Sequence, residues 1–196
     1  MITHLAFNPV FIHARAMKHQ SIISRYLSRS FPAWSARNKR QYFTVPATWR
    51  KTLFDTRSLT ARLIAISDGD FKVKVLWQGW RKLSQQEALL LGCQDNHSIA
   101  WCRDVALLVK GEPRVYARTC MPKSTLTGHE RQLKNIGKKP LGAYLFQHPH
   151  MLRGEMSAYR IADNELSLSW ARRSVFYLRH KPILVTEAFT QPLPTE

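Results

Sequence analysis

The chain has 196 residues, 44% of them hydrophobic, with 30 Lys/Arg against 13 Asp/Glu and a formal net charge of +17. That length and hydrophobic content suit a single domain with a real core and exclude a mainly disordered chain. No stretch approaches the roughly 20 uninterrupted apolar residues of a membrane-spanning helix, so no stable membrane insertion is expected.

In chain order, residues 1–45 read differently from the rest. They are basic and Ser-rich, and the first 50 residues contain no Asp or Glu. Their composition resembles an organellar transit peptide. A flexible basic leader, or residues upstream of a start at Met17, fits equally well. The absence of a long apolar run makes a secretory signal unexpected, and a bacterial cytoplasmic location is expected. The reading divides the chain into a flexible basic extension, 1–45, and a folded domain, 46–196.

Trp49, Leu53, Leu59 and Leu63 then suggest a helix-turn-helix entry with a break at 55–58, and Asp68 and Gly69 make a turn. Phe71, Val73, Val75 and Trp77 alternate with polar residues, which predicts a half-buried strand. Ser84 and Glu87 form a capping box that opens a short helix ended by Gly92. Residues 97–109 read as a long strand, 110–113 as a turn and 115–120 as the antiparallel return. Thr127 and Glu130 suggest a second capping box opening a helix that stops near Gly137. Pro140 suits the start of another, 141–147. Residues 167–179 and 183–189 form a final strand pair around a turn at 180–182. The sum is an α+β domain built on one antiparallel sheet with short helices.

Strand parity singles out two charges. Alternate residues of a strand share a face, so Arg103 projects from an apolar face with Ile99, Trp101, Val105, Leu107 and Val109. In the last strand Glu187 stands alone among Ile183, Val185 and Phe189. Isolated buried charges are costly, so such groups are paired or functional. Either Arg103 and Glu187 pair with each other, with Asp104 or with Arg118, or they mark the two ends of an apolar pocket for a small flat anion. A bulge would shift the register and void the argument. Arg118 is either a second inward charge near such a pocket or a partner for Asp104 or Glu187. Arg172 and Arg173 read as solvated, with one of them a candidate for the pocket mouth.

Several short motifs in fixed order resemble the chorismate–pyruvate lyase family: WCRD at 101–104, GEP at 111–113, ART at 117–119, PKSTL at 122–126, GKKPLGAYL at 137–145 and KPILVTEAF at 181–189. SLTARL at 58–63 resembles an early family motif, and the likeness spans about residues 46–192. It implies a monomer with a six-stranded antiparallel sheet and helical flaps over a buried site. The implied reaction splits chorismate into 4-hydroxybenzoate and pyruvate on the way to ubiquinone, with no cofactor and with product inhibition. Arg103 matches the arginine on the benzoate carboxylate, and Glu187 the glutamate at the hydroxyl end. Leu141 matches a leucine whose main chain meets the carboxylate, with Gly142 beside it. Leu59 stands where some members line the pocket with methionine. An aromatic-carboxylate sensing module of the same fold is the alternative.

Other chemistries have weaker support. Cys93, Cys102 and Cys120 make no metal-ligand spacing and leave one over in any disulfide scheme; Cys102 and Cys120, in apolar runs, read as buried thiols, and a reducing compartment and no metal are expected. His148 and His150 lack a companion ligand, and no serine has a nucleophile-elbow context. The basic residues of 46–196, such as Lys72, Lys74, Arg81, Lys82, Lys138 and Lys139, are scattered and form no stripe with aromatics. Nucleic acid is therefore not an expected partner, whereas a basic field would draw in an anion with two carboxylates such as chorismate.

Overall fold

Runs with large side chains at both parities need cover on both faces of a sheet, and this chain supplies it from two sets of helices. The computed structural model describes residues 23, 26–28, 34–35, 39–93, 97–162 and 166–194. In chain order the elements are β1 (Trp34–Ser35), α1 (Lys39–Thr44), α2 (Ala47–Leu53), α3 (Leu59–Ala65), β2 (Phe71–Lys82), α4 (Gln85–Leu90), β3 (Ile99–Val109) and β4 (Glu112–Pro122). A 3-10 helix (Gly128–Asn135), α5 (Leu141–Phe146), β5 (Met151–Arg153), β6 (Ser157–Arg160), β7 (Trp170–Leu178) and β8 (Lys181–Phe189) follow. The strands form one antiparallel sheet in the order β1-β6-β7-β8-β4-β3-β2, with β5 also on β7. The fold is α+β, as expected. Among the described residues the sheet has eight strands where about six were expected, and the shortest are the two-residue β1 and the three-residue β5.

Local chemistry sets the connections. Ser58 caps α3 by accepting from the Ala61 N–H, and the Ser84–Glu87 capping box opens α4. The β3–β4 hairpin turns on Lys110 and Gly111, both at positive φ (54° and 80°), which suits the right-handed twist of the strands it joins. The β7–β8 turn sits on Arg179 and His180 (φ 49° and 67°), so β8 already begins at Lys181.

Two expectations need correction. Trp77 does not share a face with Phe71, Val73 and Val75. A register shift between Val75 and Trp77 sends it to the other side of the sheet, against the cluster of Leu83, Ala88, Cys102 and Cys120. The segment after Thr127 is a 3-10 helix, and the Thr127 side chain makes no cap bond. Glu130 is drawn instead to the β7–β8 turn. It accepts from Lys181 Nζ at 2.6 Å, with Arg179 at 3.9 Å. An ammonium partner outcompetes a neutral backbone N–H for a buried carboxylate.

The first face of the sheet carries an apolar core of Val73, Val105, Leu107, Trp170 and Phe189, covered by α2 and α3. A second core beside it joins Met121, Leu126, Leu133, Leu141, Phe176 and Val185 under the 3-10 helix and α5. The other face packs under α4 and under Ile23 and Leu27, both buried. Within 1–45, Ile23 and Leu27 thus pack on the sheet, Leu27 O accepts from Arg173, and β1 pairs with β6. Met17 lies outside the described residues. No described helix is long and apolar enough to cross a membrane.

The second face also buries charge. Arg118 (1% exposed) stands between Glu87 (1%) and Asp104 (0%), with Nε–O distances of 3.3 and 3.7 Å. Burial would lower the Arg118 pKa, yet Asp104, with Glu87 beside it, holds it above the ordinary arginine range. Arg118→Met should therefore cost about 3 kcal/mol or more, because both carboxylates lose the cation between them. Urea denaturation measures this, and a loss below about 1 kcal/mol would show that the triad contributes little.

Candidate active site

Sheet register builds the site on the first face. Arg103, Thr119, Val185 and Ser174 lie in line across β3, β4, β8 and β7, and Val105, Ala117, Glu187 and Arg172 form the next row. Two strand spacings across and two residues along the strand put the Arg103 and Glu187 backbones about 12 Å apart. Two long side chains facing each other over that span leave room for one ring. α3 and α5 roof the space with Leu59, Thr60, Leu141 and Leu145, enclosing about 560 Å3 including the part open to solvent. Arg103, Glu187, Leu59, Leu141 and Gly142, expected at one site, line this one pocket.

Arg103 forms one end. It is 3% exposed, and its Nη2 donates to Gly137 O (2.7 Å) and Lys139 O (3.2 Å). Those carbonyls belong to the link between the 3-10 helix and α5, which turns at Gly137 (φ 60°). Its Nε is buried without a hydrogen-bond partner, and no carboxylate lies within 4 Å among the described residues. Burial lowers its pKa to about 10. A guanidinium so placed favours an anion at its free edge.

Glu187 marks the other end and is not alone there. Arg172, directly opposite it in register and 2% exposed, donates through Nε to Glu187 Oε2 at 2.5 Å. Arg172 Nη1 also donates to Thr52 O and Asp55 O, both at 3.0 Å, tying β7 to the end of α2. The pairings that the sequence left open, Arg103 with Glu187 or Asp104 and Glu187 with Arg118, are not found among the described residues; the partner of Glu187 is Arg172. The solvated reading of Arg172 and Arg173 is also corrected. Both are buried, on opposite faces, and Arg173 donates to Thr186 Oγ1, Gln86 Oε1 and Leu27 O. Arg118, weighed as a secondary contact, is absent from the pocket wall. Its neighbours Ala117 and Thr119 face the pocket, so strand alternation turns Arg118 to the other side, toward Asp104.

Four further polar residues line the pocket that sequence reasoning did not find: Arg153, Thr60, Thr119 and Arg57. Arg153, on β5, donates from Nε to Ser174 Oγ (3.0 Å) and from Nη1 to Thr56 O (3.3 Å), and lies 4.8 Å over the Phe176 ring. Burial, with Arg172 nearby, lowers its pKa to about 10. Arg57 stands exposed at the rim, paired with Asp55 at 3.0 Å. Among the described residues no group of three or more His, Cys, Asp or Glu is placed to hold a metal ion. Apolar walls between two cationic ends, with one carboxylate beside the second, suit a flat dianion carrying a hydroxyl or ether oxygen.

The family model described as "Chorismate lyase" matches residues 33–194. A protein of Psychromonas ingrahamii named "Probable chorismate pyruvate-lyase" is 37% identical over 150 residues, 70% of this chain and 79% of that one. One of the same name from Aromatoleum aromaticum is 37% identical over 166 residues, 77% of this chain and 87% of that one. Among solved structures, a GntR-family transcriptional regulator from Bacillus cereus gives a TM-score of 0.47 at 14% identity, over 65% of this chain and 95% of that chain.

The roof depends on a close approach. A Cβ at Gly142 would sit 2.5 Å from Thr60 Oγ1, so α5 meets α3 at a point with no room for a methyl group. Gly142→Ala should destabilise the protein by about 1–3 kcal/mol through overpacking. Adding Thr60→Ala should restore part of that loss. Thermal unfolding of the two variants checks it, and additive losses would show that the pair is not coupled.

Proposed function

The chain belongs to the chorismate lyase family, and from that premise we propose that it eliminates pyruvate from chorismate and leaves 4-hydroxybenzoate, the first committed step toward ubiquinone. The observation that carries this reading is the pocket itself. A buried Arg103 with a free Nε and an Arg172-held Glu187 face each other between apolar walls.

In the reaction the ether C–O bond breaks and its electrons leave on the enolpyruvyl oxygen, which becomes the ketone of pyruvate. The adjacent ring carbon loses its hydrogen as a proton, and those electrons complete the aromatic ring. The proton ends on the enolpyruvyl methylene, giving the methyl group. Every atom of chorismate is accounted for in the two products. Aromatisation supplies the driving force, so the protein's task is to orient the diene and to stabilise charge as the C–O bond opens.

Arg103 would hold the ring carboxylate through a charge-assisted pair. Its two backbone partners fix the guanidinium before the ligand arrives. The backbone of Leu141, in the first turn of α5 where N–H groups lack an intrahelical partner, shares the role. Leu59 closes the apolar wall. Glu187, anchored by Arg172 through one oxygen, would accept from the ring hydroxyl with the other. That contact points the neighbouring C–H at the enolpyruvyl methylene, so Glu187 orients the proton transfer without carrying it. Because α3 and α5 roof the deep end of the pocket, product release is slow and inhibition by 4-hydroxybenzoate follows. The enzyme is read as a cytoplasmic monomer working without a cofactor.

Arg103→Ala should lower kcat/KM for chorismate by about 100-fold, as expected for losing a charged hydrogen-bonded anchor. Near-normal turnover would remove Arg103 from the site. Glu187→Gln should lower kcat by about 10-fold or more while changing 4-hydroxybenzoate affinity much less, measured by the absorbance of the aromatic product and by calorimetry. Unchanged kcat would leave Glu187 as a wall residue.

A further inference from the structure

We infer that Arg153, backed by Arg172, forms a second carboxylate subsite that holds the enolpyruvyl carboxylate of chorismate. The inference rests on the lyase reading and goes beyond it, because the product retains only the ring carboxylate and never needs this subsite.

A charge balance of the pocket leads to it. Arg172 is compensated by Glu187 and Arg57 by Asp55. Arg103 has no carboxylate partner and is assigned to the ring carboxylate. Arg153 is the remaining cation on the wall. Its nitrogens meet only neutral groups, Ser174 Oγ, Thr56 O and Met156 Sδ (3.9 Å), and no carboxylate lies within 4 Å among the described residues. Glu187 and Asp55 attract Arg153 only from beyond 4 Å, so a half-buried guanidinium beside that of Arg172 still favours an anion placed between the two.

The placement matches the ligand. Ser174, which Arg153 binds, lies in the same cross-strand row as Arg103 but on β7, three strand spacings or about 14 Å away. Arg103 and Arg153 therefore reach into the pocket from opposite walls, with Glu187 between them on β8. Chorismate has its ring carboxylate at one extremity and its ether-linked carboxylate at the other, with the hydroxyl beside the ether. Arg103, Glu187 and Arg153 meet those three groups in that spatial order. Arg57, exposed at the rim, marks the solvent side, so the pyruvate half lies toward the mouth and the ring lies deep.

The subsite predicts a split between substrate and product. Arg153→Gln should lower kcat/KM for chorismate by about 10- to 100-fold, the range for losing a hydrogen-bonded ion pair. Its calorimetric Kd for 4-hydroxybenzoate should stay within about two-fold of the parent value. The wild-type protein should bind 3-(carboxymethoxy)-4-hydroxybenzoate, which carries the second carboxylate on an ether, and Arg153→Gln should weaken that binding by a similar factor. Arg153→Lys should recover part of each loss. An unchanged kcat/KM, or an equal loss of 4-hydroxybenzoate affinity, would overturn the subsite and leave Arg153 as packing. A wild-type protein that neither converts chorismate nor binds 4-hydroxybenzoate would defeat the lyase reading itself, an outcome distinct from failure of the subsite alone.

Discussion

A guanidinium buried in an apolar wall without a counter-ion is the constraint around which this molecule is arranged. Arg103 is almost fully shielded, and its surroundings are enough to lower its pKa to about 10. Two carbonyls from one loop hold it in place but cannot neutralise it. The sheet meets the same problem three more times and solves it differently each time. Arg172 has Glu187, Arg118 has Glu87 and Asp104, and Arg173 is surrounded by neutral acceptors. On the second face Arg118 and Arg173 are structural by this logic, whereas the cations of the first face, Arg103, Arg153 and the Glu187-bound Arg172, line the pocket.

That arrangement explains why the short helices matter more than their length suggests. α2 receives Arg172 through the carbonyl of Thr52, and the turn after it supplies Asp55 and Thr56 to Arg172 and Arg153. The link before α5 supplies the carbonyls on Arg103, and α5 itself touches α3 at Gly142. The segments leading into α3 and α5 are thus each fastened to cations of the wall. Movement of the roof and the electrostatics of the pocket are coupled, since lifting the link before α5 also releases Arg103.

Much of the fold was legible in the sequence because its signals are local. The break between Leu53 and Leu59, the Ser84 capping box and the Gly111 hairpin are each decided within a few residues, and each forms. Parity found Arg103 and Glu187 because long regular strands carry them. It could not find Arg153, which sits on a three-residue strand with no period to read. The Arg172–Arg173 doublet looked solvated because the groups that bury each arginine, Glu187 for one and Gln86 for the other, are 15 and 87 residues away. Trp77 was placed on the wrong face because one bulge reverses alternation. Glu130 read as a cap because its actual partner, Lys181, lies 51 residues on.

The most direct measurement is a stoichiometric turnover experiment on the wild-type protein. Chorismate is added, and the aromatic product and pyruvate are quantified separately over time. Catalysis as a lyase gives turnover with one 4-hydroxybenzoate and one pyruvate for each chorismate consumed. Binding of 4-hydroxybenzoate with no conversion of chorismate would contradict it and would make the pocket a receptor for an aromatic carboxylate.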